Sequence, residues 1–148
     1  MEAHKDVITS LILIKSRNEI ATGSIDSTIK IWIININKKN LLLNKEIKAH
    51  DNSVLSLKDF PKLKVFCSTS SDKTVKLWDN ESLDCISTLF YHTNSVITSC
   101  YNPSGGKEIF TGGEDLLIVI WKPIGNNNYK MKSALKGHKK RISALIFV

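Results

Sequence analysis

STSSDKTVKLWD, residues 68–79, decides the fold because it is one of three related stretches. The others read TGSIDSTIKIW at 22–32 and TGGEDLLIVIW at 111–121. Each begins with a Ser or Thr, has an Asp four residues later and a Trp six residues after the Asp. Because the tryptophans are 46 and 43 residues apart, the chain carries a repeat of about 44 residues.

A histidine opens each repeat and keeps the same period. The four histidines are 46, 42 and 46 residues apart, in AHKDVITSL, AHDNSVLSL, YHTNSVITS and GHKKRISAL. Apolar, β-branched runs follow, separated by turn signals at 102–106 and 125–128. The runs predict first strands at 7–13, 54–57 and 96–100, second strands at 19–23, 64–69 and 108–113, third strands at 27–32, 73–78 and 116–121, and fourth strands at 41–47, 85–90 and 129–135. Four antiparallel strands per repeat, with no amphipathic helix, predict a propeller blade.

These residues give the chain its resemblance to the WD-repeat (WD40) β-propeller family, over essentially its whole length. The resemblance implies an all-β fold with three complete four-stranded antiparallel blades, at about 4–48, 50–91 and 92–136. The first strand of a fourth blade, Ile142–Val148, is expected within about 137–148. The expected shape is an open arc or a fragment of a larger, seven-bladed propeller.

In this family a His, a Ser or Thr, an Asp and a Trp form a structural tetrad in each blade. By resemblance the three tetrads are His4, Thr22, Asp26 and Trp32; His50, Ser68, Asp72 and Trp78; and His92, Thr111, Asp115 and Trp121. The chemistry suits this role, because an indole N–H can only donate and a hydroxyl can accept from it. The hydroxyl can then donate to one imidazole nitrogen, and the other nitrogen can donate to the carboxylate. We therefore expect each tetrad to tie three strand segments together.

The same residue types invite a hydrolase interpretation, which we reject. A catalytic triad is needed once, whereas this set occurs three times at equivalent positions. The histidines have no pair at metal-ligand spacing, and no phosphate-binding motif follows the Gly-containing turns. The sequence therefore predicts no catalytic residue, no metal and no cofactor.

Composition narrows the class of protein further. The chain has 148 residues, of which 42% are hydrophobic, and no apolar run is long enough to span a membrane. The first ten residues lack the pattern of a signal peptide. Cys67, Cys85 and Cys100 are far apart, which is typical of reduced thiols. We therefore expect an intracellular protein, in the cytoplasm or the nucleus.

The net charge of +7 is confined to the last third of the chain. Lys/Arg and Asp/Glu number 14 each up to Asp115, and no acid follows. The excess lies on Lys122, Lys130, Lys132, Lys136, Lys139, Lys140 and Arg141. Such a patch could contact phosphates of RNA or DNA within a ribonucleoprotein or chromatin complex, or it could complement an acidic neighbour.

The leading functional hypothesis is a non-catalytic scaffold that assembles a multiprotein complex. By resemblance, partners dock on the loops before the first strands and the turns after the second strands. The candidate partner-binding residues are Lys5, Asp6, Ile25, Asn52, Ser53, Ser71, Asn94, Ser95, Glu114, Lys140 and Arg141. Other proteins are the expected partners, with missing blades supplied by further chain or by self-association. The alternatives are the nucleic-acid association above and a truncated fragment without independent function.

Overall fold

A computed structural model describes residues 3–125 and 128–148, and its strands form three separate antiparallel sheets. The first sheet, blade 1, contains β1 (Ile8–Ile14), β2 (Glu19–Ser24), β3 (Thr28–Asn35) and β4 (Asn40–Lys48). Blade 2 contains β5 (Val54–Phe60), β6 (Val65–Ser70), β7 (Thr74–Asp79) and β8 (Cys85–Phe90). Blade 3 contains β9 (Val96–Tyr101), β10 (Ile109–Gly113), β11 (Ile118–Pro123) and β12 (Tyr129–Leu135).

In every blade the strands pair in the order of the sequence, so each blade is a four-stranded meander. The predicted all-β fold of four-stranded antiparallel blades is therefore confirmed. A 3-10 helix at Pro61–Leu63, between β5 and β6, was not predicted. The turn predicted over 125–128 includes Asn126 and Asn127, which lie outside the described residues.

Alternation along the strands builds the interfaces between blades. In β7, Val75 and Leu77 are completely buried, whereas Lys76 between them is half-buried.

Each third strand also changes register with the fourth strand immediately before its tryptophan, at Ile31/Trp32, Leu77/Trp78 and Ile120/Trp121. A bulge at the same place in three blades is a repeated structural feature, since bulges re-aim the side chains that follow them.

The hydrophobic core lies between neighbouring blades. Ile29 and Ile31 of blade 1 pack in one cluster with Phe66 and Trp78 of blade 2. Burial of one such side chain contributes roughly 1.5–3 kcal/mol. The blades also approach closely at Gly23, where a Cβ would lie 2.7 Å from Cγ1 of Val54. A second cluster joins blade 2 to blade 3 in the same way and includes Leu77, Ile109 and Trp121.

The expected first strand of a fourth blade, at 142–148, lies along blade 3 without forming a strand. Among the described residues it has no partner strand, and a strand is defined by ladder hydrogen bonds to such a partner. Its start is nonetheless anchored, because the N–H of Ile142 donates to the carbonyl of Gly113 at 3.1 Å. Ile142 is buried, and the Phe147 ring lies 6.0 Å from that of Phe110.

Candidate protein-binding face

The antiparallel order of each blade brings two kinds of loop to the same end of the sheet. The loop before the first strand and the turn between the second and third strands lie together there. We call this end the loop face, formed by residues 3–7, 49–53, 91–95 and 136–141 and by the turns at 25–27, 71–73 and 114–116. One backbone bond joins loop to turn in each blade: Ile25 N–H to Val7 O, Ser71 N–H to Ser53 O, and Glu114 N–H to Ser95 O, at 2.9–3.0 Å.

Beneath the loop face of blade 2, four side chains form a continuous chain of hydrogen bonds. The indole N–H of Trp78 donates to Oγ of Ser68 at 2.9 Å. Ser68 Oγ lies 2.7 Å from Nε2 of His50, and Nδ1 of His50 lies 2.8 Å from Oδ2 of Asp72. The bonds link the loop before β5 to β6, β7 and the turn between them.

The other two blades repeat this geometry. In blade 1, Trp32 donates to Thr22 at 2.9 Å, and His4 lies 2.8 Å from Thr22 and 3.0 Å from Asp26. In blade 3 the corresponding distances are 2.8 Å for Trp121 to Thr111, 2.7 Å for His92 to Thr111 and 2.8 Å for His92 to Asp115. The structure thus brings together all four side chains of each set.

A fifth residue, missed by the sequence reasoning, joins the network in two blades. Thr28 donates its hydroxyl to Oδ1 of Asp26 at 2.6 Å, and Thr74 donates to Oδ1 of Asp72 at the same distance. In blade 3 the position is Leu117, whose backbone N–H alone donates to Asp115, at 3.2 Å. The signal was present as a Thr two residues after the Asp in two of the three repeats.

The hydrogen bonds fix the protonation of the network in blade 2. Burial raises the pKa of Asp72, but hydrogen bonds from Thr74, the attraction of His50 once it is protonated in acid, and the N–H of Asp51 outweigh it and lower the pKa to about 2. Burial lowers the pKa of His50, against the opposing attraction of Asp72. His50 is therefore neutral at pH 7, and its partners require the tautomer with the proton on Nδ1.

Asp26 of blade 1 shows the same balance as Asp72. Burial acts to raise its pKa, whereas hydrogen bonds from Thr28, Lys5 and His4 hold the pKa below its usual range. The carboxylate therefore stays ionised as a fixed acceptor for its turn and its histidine.

The tetrad hydroxyls of blades 2 and 3 are not placed to act as nucleophiles. Ser68 and Thr111 are completely buried, and each hydroxyl already accepts from an indole and faces a histidine nitrogen. A nucleophilic hydroxyl must instead reach a substrate carbonyl beside an oxyanion site.

Within residues 3–125 and 128–148, no cluster of three His, Cys, Asp or Glu is placed to hold a metal. The same residues contain no helix with the length and apolar character of a membrane span.

The candidate partner-binding residues all lie on the loop face and are at least partly accessible. The exposed members are Lys5, Asp6, Ile25, Asn52, Asn94, Lys140 and Arg141, and the half-buried members are Ser53, Ser71, Ser95 and Glu114. Ile25 is 41% exposed, which is unusual for an isoleucine in a tight turn.

Four of these residues meet in one hollow. Ser71 of blade 2, Ser95 and Glu114 of blade 3, and Arg141 line a depression of about 260 Å³ together with Leu55, Ile97 and Ser143. We call it the loop-face hollow. Its wall carries apolar side chains, hydroxyls and one charge of each sign, a mixture that suits a polar segment of another protein. The other candidates lie outside this hollow.

The basic residues of the last third are exposed, and within residues 3–125 and 128–148 only Lys132 among them forms an ion pair. Lys122 and Lys130 lie directly opposite each other on β11 and β12, a like-charge pair that destabilises a sheet. Lys132 is paired, since its ammonium lies 2.7 Å from a carboxylate oxygen of Glu108.

The cysteines remain free thiols. Cys67 is buried, Cys100 half-buried and Cys85 exposed. Burial raises the pKa of the Cys67 thiol to about 12, so this thiol is inert near neutral pH.

Comparison with models of protein families identifies the family to which these blades belong. The model of the WD domain, G-beta repeat family matches residues 1–32, 42–79 and 83–122. The chain belongs to this WD-repeat family. The match includes all three tetrads, and the resemblance drawn from the sequence is thereby confirmed.

WD-repeat proteins with related sequences come from several organisms. A nuclear distribution protein PAC1 of Arthroderma otae is 33% identical over 93% of this chain and 31% of its own length. A probable coatomer subunit beta' of Schizosaccharomyces pombe is 32% identical over 81% of this chain and 15% of its own length. THO complex subunit 3 of Arabidopsis thaliana is 28% identical over 86% of this chain and 42% of its own length. This WD-repeat chain therefore spans less than half of each relative.

Proposed function

We propose that this WD-repeat chain is a non-catalytic scaffold that binds other intracellular proteins through its loop face. The observation that carries the proposal is the loop-face hollow, where residues of two blades and of the segment after blade 3 meet. Two of the relatives are named as subunits of complexes, coatomer and THO, which supports a role in assembly. The buried, fully bonded hydroxyls of the tetrads support the absence of catalysis.

The chemistry of the hollow describes the segment that it would accept. Leu55 and Ile97 offer apolar contact, whereas Glu114 and Arg141 offer a charge of each sign. Neither charge forms an ion pair within residues 3–125 and 128–148, so both are available to a partner. Truncation of one partner of a buried interfacial charge pair costs roughly 2–5 kcal/mol of binding.

Affinity purification of the tagged protein from its own cells, with quantitative mass spectrometry, tests the proposal. We expect Glu114→Lys to reduce a defined set of co-purifying proteins at least about 30-fold, from the lower end of that range. Glu81→Lys is the matched control, since Glu81 is exposed at the other end of blade 2 and keeps the same proteins. Equal recovery of the set with both variants would contradict the proposed binding face.

Nucleic-acid association is the second candidate, favoured by the uncompensated Lys122 and Lys130 pair. Binding through phosphates falls steeply with salt and is indifferent to base sequence. A fluorescent 20-nucleotide RNA, titrated at several salt concentrations, tests this candidate. Salt-dependent binding that Lys122→Glu weakens supports it, and no binding at low salt rejects it.

The face of blade 3 that corresponds to the buried face of blade 1 is partly exposed, which supports a further partner, a neighbouring blade. Ile29 and Ile31 of blade 1 are completely buried against blade 2, whereas Ile118 and Ile120 at the equivalent positions of blade 3 are partly exposed. We propose that another sheet of the same kind covers them, from further chain or from a second copy. Sedimentation of the full chain at increasing concentration distinguishes the two sources, because self-association alone depends on concentration.

A further inference from the structure

A second hollow on the loop face lies between blades 2 and 3 and contains none of the eleven candidate partner-binding residues. It has a volume of about 350 Å³ and is lined by Asp51, Asp72, Lys73 and Thr74, by Phe90 and Tyr91, and by His92 of the blade 3 tetrad. Phe90 is 74% exposed, and Tyr91 is 41% exposed. Phe90 buries little of its surface on folding, and two adjacent exposed aromatic side chains of this kind mark a candidate interaction site.

The repeat itself shows what occupies the equivalent place between blades 1 and 2. Phe90 pairs with Thr74 in the sheet of blade 2, just as Lys48 pairs with Thr28 in the sheet of blade 1. Lys48 turns its ammonium to the hydroxyl of Ser27, which is the residue after the tetrad aspartate. A lysine of the chain itself therefore places its ammonium at the equivalent position beside blade 1.

Around the second hollow, three positions that are lysines in the preceding repeat are occupied by acidic or apolar residues. Lys5, whose N–H bonds the tetrad aspartate, is replaced by Asp51, which makes the same backbone bond. Lys48 is replaced by Phe90. Lys76, which donates to the Ala49 carbonyl at 2.7 Å, is replaced by Val119 in the next blade.

The second hollow contains one cation of its own, Lys73, which occupies the position that Ser27 has in blade 1. Lys73 and Asp51 form no ion pair within residues 3–125 and 128–148. The carboxylate of Asp72 is already occupied by bonds from His50, Thr74 and the Asp51 N–H. Asp51 is therefore the free anion of this hollow, and the ring of Phe90 provides an open face for a cation.

We infer that the hollow between blades 2 and 3 binds a lysine side chain of a partner protein. The alkyl stem packs on Phe90 and Tyr91, and the ammonium meets Asp51, in the place where blade 1 uses its own Lys48. The inference rests on the proposed protein-binding function and adds a second contact, separate from the loop-face hollow, with a defined chemistry.

A titration of the full chain with Nα-acetyl-lysine methylamide, followed by amide resonances in NMR, tests the inference. Exposed cation–aromatic and ion-pair contacts are weak, so we expect saturation only in the millimolar range. The shifts should centre on Asp51, Lys73 and Tyr91. The norleucine analogue, which has the stem without the charge, should cause no saturable shift. No shift with the lysine probe, or equal shifts with both probes, would overturn the inference.

Variants give the sharper test. Phe90→Lys should abolish binding, because the introduced ammonium would occupy the hollow in the way that Lys48 reaches Ser27 at the equivalent position beside blade 1. Phe90→Ala and Asp51→Asn should each weaken binding about two- to fivefold. Glu81→Gln, at the other end of blade 2, should leave it unchanged. Unaltered binding by Phe90→Lys would refute the proposed site.

The small probe separates this inference from the proposed function. If Glu114→Lys loses its partners but the lysine probe does not bind, the scaffold remains and the second contact is wrong.

Discussion

Thr111 and Thr69 form a matched pair of buried threonines in equivalent second strands, β10 and β6. Both are completely buried. The hydroxyl of Thr111 accepts from Trp121 at 2.8 Å and lies 2.7 Å from a nitrogen of His92. The hydroxyl of Thr69 finds no partner within residues 3–125 and 128–148. A Thr→Val change at each position replaces the hydroxyl with a methyl group of similar size, so the difference between the two variants measures what the tetrad hydrogen bonds contribute to stability.

The two variants should differ strongly in stability. Thr111→Val leaves the indole N–H of Trp121 and Nε2 of His92 buried without a partner, at roughly 1–3 kcal/mol each. We therefore expect Thr111→Val to lower the free energy of unfolding by about 2–6 kcal/mol. Thr69→Val removes an unpaired buried hydroxyl, so it should be neutral or slightly stabilising. Since whole domains are stable by only about 5–15 kcal/mol, Thr111→Val can bring the chain near unfolding.

Urea unfolding of both variants, followed by tryptophan fluorescence and far-UV circular dichroism, provides the measurement. The slope with urea should stay the same, so that the midpoint reports stability alone. If Thr111→Val costs no more than Thr69→Val, the hydrogen bonds of the tetrad do not stabilise the blade, and the structural role assigned to it is wrong.

Three further perturbations follow from the same contacts. On acidification, the free energy of unfolding should first fall below pH ~6.5, because burial lowers the pKa of His50 in the folded chain. The unfolded chain then binds a proton on His50 more readily than the folded chain does, which favours unfolding. The free energy of unfolding should fall again between roughly pH 4 and 2 as Asp72, with a folded pKa of about 2, is protonated. Urea midpoints that stay constant from pH 7 to 3 would contradict both statements. Gly113→Ala should lower stability by about 1–3 kcal/mol, because its Cβ would lie 2.2 Å from the Ser95 carbonyl oxygen. Gly106→Ala, whose Cβ has 3.9 Å to its nearest neighbour, should cost less, and equal melting temperatures would refute this reasoning. Arg17→Ala should cost roughly 1–3 kcal/mol by unfolding titration, since it leaves the buried Glu19 without its 2.6 Å partner, whereas Lys38→Ala at an exposed turn should be silent.

The strands could be predicted because their causes are local. Val75 and Leu77 alternate with polar neighbours, and the turns between strands contain polar residues and glycine. Strand ends moved by a few residues at most: β5 extends to Phe60, three residues beyond its predicted end. The 3-10 helix after it gave no periodic signal, because Pro61–Leu63 is too short for one.

Residues with left-handed backbone gave no signal at all. Ser27, Lys73 and Leu116 follow the three tetrad aspartates and have φ of 68°, 72° and 67°. Such angles favour glycine, and none of the three is one. The surrounding hydrogen bonds impose the conformation: the Asp26 and Asp72 side chains accept the N–H of Thr28 and Thr74 across the turn.

The hollows on the loop face could not be predicted because they form between blades. Ser71 and Glu114 are 43 residues apart in sequence, and only the packing of blade 2 on blade 3 brings them to one wall. The sequence placed the partner-binding candidates blade by blade, so it missed Asp51, Phe90 and Tyr91. A comparison of the two residues before each histidine would have singled out the aromatic pair, since His50 and His138 follow Lys-Ala and Lys-Gly.

Site-specific photocrosslinking in the protein's own cells tests the central claim most directly. A photoreactive amino acid replaces Ser71, in the wall of the loop-face hollow, or Glu81, exposed at the opposite end of the same blade. Our account predicts crosslinks to one or a few partner proteins from position 71 and none to the same proteins from position 81. Crosslinks from position 81 alone would show that partners bind the other end of the blades and would contradict the account.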